Sequence, residues 1–87
     1  MDDFARRCKT GELSITTMPD GSGVLLDLAH EVLLNFNATG AFMLACLTEG
    51  MDEARVVTRV LERYDVDQDT AHADVAQFVD QLARAIS

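Results

Sequence analysis

Eighty-seven residues with a formal charge of −8, from 15 acidic and 7 basic side chains, fit one small domain and argue against an enzyme with a cleft between two domains. Apolar residues at 48% and charged residues at 25% suffice for a buried core, while the acidic balance opposes the phosphate neutralisation on which nucleic-acid binding depends. No apolar run reaches the ~20 residues that span a bilayer, and MDDFARRCKTGE carries no signal-like apolar segment, so a cytoplasmic protein without membrane partners is expected.

Residues 1–11 are polar, show no periodicity and read as a flexible N-terminus, leaving 12–87 as a single domain. ELSITTM, residues 12–18, alternates Leu13 and Ile15 with Ser14 and Thr16 and predicts a first strand. PDGSG, 19–23, collects turn formers, and VLLDL, 24–28, completes a hairpin. After a short connection at Ala29, His30 and Glu31, Val32–Phe36 forms a third strand at the edge of an antiparallel meander.

Asn37 follows at once as a helix N-cap, since its side-chain oxygen suits an unpaired amide of the first turn. Met43, Leu44 and Leu47 give that helix an apolar stripe, and Gly50 suits its left-handed end. Asp52 caps a second helix with Val56, Val57, Val60, Leu61 and Tyr64 at helical spacing; its other side carries Arg55, Arg59 and Arg63, a row that reads as a solvated face. A third helix, capped by Asp67 or Asp69, places Ala71, Val75, Phe78, Val79, Leu82 and Ile86 on one stripe. The fold class is α+β, a three-stranded antiparallel sheet followed by three helices.

The residues offer no catalytic constellation: neither a nucleophile with its base nor paired carboxylates nor ligands at metal spacing. His30 and His72 lack partners for zinc, and Cys8 and Cys46 stand apart as reduced thiols. Gly21 and Gly23 belong to a hairpin turn rather than a phosphate loop. A non-catalytic protein without metal or cofactor is expected. The last helix cannot read DNA, because Asp65–Gln81 holds five aspartates and no lysine or arginine. An acyl or peptidyl carrier is the better rival on size and charge, but Ser22 lies in DGSG between strands rather than at a helix start.

VLLDL, then FNATGAFMLACL where a Leu-Asn-x-Thr-Gly-Ala stretch is usual, then Gly50-Met51-Asp52 with Tyr64-Asp65-Val66-Asp67, and finally DVAQFVDQL, together resemble the PqqD-like family over residues 12–86. Phe36 stands where leucine is usual. The family includes recognition elements for leader peptides of ribosomally made, post-translationally modified peptides. The resemblance implies a winged helix-turn-helix-like domain that holds a precursor's leader, and a free-standing acidic domain looks most like the discrete leader-binding proteins of lasso peptide clusters. It further implies delivery to a separate leader peptidase and a cyclase, and a leader presenting a tyrosine and, some residues later, a proline. The related alternative is a peptide chaperone for a radical SAM maturase.

The residues suggest the same use independently. An edge strand exposes a template of amides and carbonyls for an added strand, so Val32, Leu33, Leu34, Asn35 and Phe36 are candidate leader contacts. The apolar wall is expected from the last helix through Ala71, Val75 and Phe78, with Val79 and Leu82 facing inward and Asp69 and Asp74 at the rim for basic leader residues. Plain core packing of that stripe, and solvated surface acids, are the alternatives.

Overall fold

The computed structural model describes residues 2–86. Helix α1 (Asp2–Thr10) precedes strands β1 (Leu13–Thr17), β2 (Gly23–Asp27) and β3 (Val32–Phe36), which lead into helices α2 (Ala38–Thr48), α3 (Glu53–Arg63) and α4 (Gln68–Ile86). The α+β class and the order of three strands before three helices follow the sequence reading. Helix α1 corrects it: residues 1–11 were expected to form a flexible N-terminus, yet Phe4 is buried and Cys8 packs against the core. Two apolar anchors four residues apart give too short a pattern to register as periodic in sequence.

The sheet order is β1-β2-β3, antiparallel throughout. Its register aligns Leu13 with Asp27 and Val32, Ile15 with Leu25 and Leu34, and Thr17 with Gly23 and Phe36. Because side chains alternate between faces, these rows face the helices, while Ser14, Leu26, Leu33 and Asn35 share the outer face. Gly21, at φ +91°, allows the β1–β2 turn, in which the Met18 amide donates to the Ser22 carbonyl at 2.8 Å. The Ser22 hydroxyl is held there by Asp20 Oδ1 at 2.6 Å.

Each later helix starts on a side-chain cap. Asn37 Oδ1 accepts from the Gly40 amide at 2.9 Å, so β3 and α2 are separated by one residue whose own hydrogen bond sets the angle between them. Asp52 Oδ1 accepts from the Arg55 amide at 2.9 Å, and Asp67 rather than Asp69 caps α4, accepting from Thr70 at 2.6 Å. Helix α2 is apolar on most sides because it packs against α1, α3, β2 and β3; Met43, Leu44, Cys46 and Leu47 are all buried. The core continues through Val56, Val57 and Val60 of α3 and through Ala71, Val75, Val79, Leu82 and Ile86 of α4.

A buried carboxylate ties the sheet to the N-terminal helix. Asp27 Oδ2 accepts from Arg7 Nη2 at 3.3 Å and lies 2.7 Å from His30 Nδ1, while Oδ1 accepts the amides of Ala29 at 3.1 Å and His30 at 3.3 Å. Arg7 also donates to Glu12 Oε2 at 3.2 Å and to the Ile86 carbonyl at 3.1 Å, joining α1, the β2–β3 turn and the end of α4. Burial pushes the Asp27 pKa up, but the hydrogen bonds from the His30 ring and amide, with the charges of His30 and Arg7, outweigh it and hold the carboxyl below its ordinary range. A folded pKa below the unfolded one stabilises the protein above the unfolded value of about 3.9, and the gain is lost as pH falls through the folded value. Asp27→Asn is therefore expected to cost about 2–3 kcal/mol at neutral pH and to flatten the acid limb of a urea-unfolding series. A variant with the full wild-type acid dependence would assign that limb to other carboxylates.

Candidate functional site

Strand β3 has β2 on one side only, so its other edge turns a row of backbone amides and carbonyls away from the sheet. Facing that edge is α4. Between them runs a groove made of two adjoining cavities of about 410 Å³ and 340 Å³, both lined by Asn35, Phe36, Phe78 and Gln81. The larger extends towards the start of α2 through Asn37, Thr39, Gly40 and Met43, with Asp74 and Gln77 on the α4 side. The smaller is more apolar and is completed by Leu34, Leu82 and Ala85.

The Phe36 and Phe78 rings meet edge to face, with centroids 5.6 Å apart and planes at 61°. Such a pair contributes roughly 0.5–1.5 kcal/mol beyond its burial and links strand to helix across the groove. Gly40 makes room for it: a Cβ there would come within 3.2 Å of Phe36 Cβ and 3.3 Å of its Cδ1. The first turn of α2 therefore abuts the Phe36 ring, and a larger residue at 40 would push against it.

The structure brings together some of the residues expected from sequence and separates others. Val32, Leu34 and Phe36 are half-buried on the helix side of β3, and Asn35 lines both cavities although it lies on the outward row of the strand. Leu33 also belongs to the edge, but its side chain is 58% exposed on the outer face, so it can contribute backbone and not a groove wall. Phe78 lines both cavities and Asp74 the larger one. Ala71 and Val75, expected in the same wall, line neither: both are 0% exposed in the core. On α4 the core takes residues 71, 75, 79, 82 and 86, and the groove takes mainly the stripe turned one residue back, at 74, 78, 81 and 85, with Gln77 beside it and Leu82 shared between groove and core. Asp69 is exposed in the first turn of α4, outside the lining of either cavity.

Sequence reading missed Asn37, Thr39, Gly40 and Met43 of the α2 start, and Gln77, Gln81, Leu82 and Ala85 of α4. Two of the α4 members carry a signal: Gln77 and Gln81 border the apolar stripe, where a helix passes from core to solvent. The α2 members carry none, because the close approach of that turn to Phe36 is a tertiary contact.

Three antiparallel strands followed by three helices, with an open strand edge beside a groove floored by an aromatic pair, define a winged-helix-like α+β domain. The chain belongs to the PqqD family: the family model for coenzyme PQQ synthesis protein D (PqqD) matches residues 22–85, which include every element of the groove. Among solved structures it is similar to TbiB1 in complex with the TbiA(beta) leader peptide, with 26% identity over 84% of each chain and a TM-score of 0.78. It is also similar to a lasso peptide synthetase B1 complexed with the leader peptide, with 28% identity over 86% of this chain and 87% of that one and a TM-score of 0.75. No curated protein sequence matches. Among the described residues no helix is long and apolar enough to cross a membrane, and no cluster of three metal-ligating side chains occurs.

Proposed function

We propose that this protein binds the leader segment of a ribosomally made precursor peptide, of the lasso class, by taking it as an added strand on β3 against α4. It then delivers the precursor to a separate leader peptidase and a cyclase, acting in the cytoplasm without catalysis of its own. The observation that carries this reading is the free β3 edge standing across a groove from Phe78. Backbone pairing supplies affinity with little demand on sequence, and the two cavities select side chains on alternate leader positions. The similarity to two B1 proteins in complex with leader peptides supports the same use of this fold. Asp74 at the rim favours a basic leader residue, adding on-rate and selectivity.

Fluorescence anisotropy with the labelled leader of the precursor encoded beside this gene tests the reading. Saturable binding of the native leader, with a flat curve for a scrambled one, is expected. Equal curves for the two would remove leader recognition from the account.

A further inference from the structure

The strongest positive feature of this acidic chain lies away from the groove. Three of its seven basic residues, Arg55, Arg59 and Arg63, stand exposed along α3 at i, i+4 and i+8, a row about 12 Å long. The row is built against aromatic rings. Arg63 Cζ sits 5.1 Å from the centroid of Phe42 and 5.9 Å from that of Tyr64, and the two rings meet edge to face at 5.8 Å and 82°. Stacking of this kind restrains a long side chain and leaves the guanidinium fork free to accept a partner. Beside it, Phe42, Arg59, Glu62 and Arg63 line a cavity of about 270 Å³ that shares no lining residue with the leader groove. Glu62 engages Arg59 from one side only, at 3.5 Å.

We propose that this face docks an acidic segment of the processing enzyme while the groove holds the leader. The inference rests on the delivery step of the function proposed above. Guanidinium forks pair with carboxylates in a bidentate manner, and acidic residues at i and i+4 of a partner helix match the spacing of the row. Phe42 and Tyr64, half-buried against the core, would add a partly accessible apolar surface for a neighbouring apolar side chain. Outside the row the chain has 4 basic against 15 acidic residues and repels an acidic partner, so attraction confined to these arginines also sets its orientation. Nucleic acid fits poorly, since three arginines on an acidic body cannot neutralise a run of phosphates.

The test measures, on the full chain, its affinity for the leader peptidase encoded with the precursor, alongside its affinity for the labelled leader. Arg59→Glu with Arg63→Glu is expected to weaken peptidase binding about tenfold or more and to leave leader affinity and the circular dichroism spectrum unchanged; added salt should weaken the wild type in the same direction. Arg55→Lys with Arg59→Lys and Arg63→Lys, which keeps the charge and loses the fork, should fall between. Peptidase affinity unaffected by charge reversal, or tighter binding of a short DNA duplex than of the peptidase, overturns the inference while leader binding stands. A wild type that fails to bind its leader overturns the function proposed above instead.

Discussion

Replacing Phe78 by glutamate is expected to weaken leader binding about 30-fold or more, roughly 2 kcal/mol, in a protein that remains folded. The side chain is half-buried, lines both cavities and meets Phe36 edge to face, so a carboxylate at this position would put charge into the apolar floor on which the leader must lie. Aromatic anchors at the centre of an interface tend to carry most of its energy, because the surrounding contacts mainly exclude water. Phe78→Leu should keep most of the affinity, separating apolar floor from ring geometry. Leu33→Glu, on the outer face of the same strand, should change little, since it leaves the backbone of the edge intact. Anisotropy with the labelled leader reads all three, with circular dichroism as the check on folding. A folded Phe78→Glu variant that binds like the wild type would move the leader out of this groove.

Val75→Asp, one helical turn away, should act on the fold rather than on the leader. Val75 has no exposed surface and lies in the core beside Ala71 and Val79. Burying an unpaired carboxylate there costs about 4 kcal/mol or more, a large part of the roughly 5–15 kcal/mol that holds a small domain together. Urea unfolding should show a strongly lowered midpoint or no folded baseline. The opposite outcome, near-wild-type stability with selectively lost leader affinity, would place Val75 in the groove wall.

The contrast between these two residues marks how far the sequence could be read. Strand alternation, the PDGSG turn and the capping residues Asn37 and Asp52 are local signals, and the elements they announce are present. The third strand coincides with its predicted span because both ends are punctuated, by a turn before Val32 and a cap after Phe36. Helix α4 was legible as an apolar stripe, but residues 75 and 78 lie only about 60° apart around a helix, so the pattern alone does not say which of them meets the core. Packing against α3 decides it. Helix α1 was missed for a related reason. What anchors it is a long-range contact between Phe4 and the core and the reach of Arg7 to Asp27 and Ile86, none of which leaves a periodic trace in nine residues. The start of α2, which closes one end of the groove, depends on the absence of a side chain at Gly40 opposite Phe36.

Strand addition at β3 is the central claim, and amide hydrogen exchange with and without the native leader reaches it most directly. Slowed exchange is expected in Val32–Phe36, where free edge amides gain partners, with exchange in Leu13–Thr17 of the opposite edge unchanged. Protection confined to Leu13–Thr17, or saturating leader binding that leaves Val32–Phe36 as exposed as before, would contradict it.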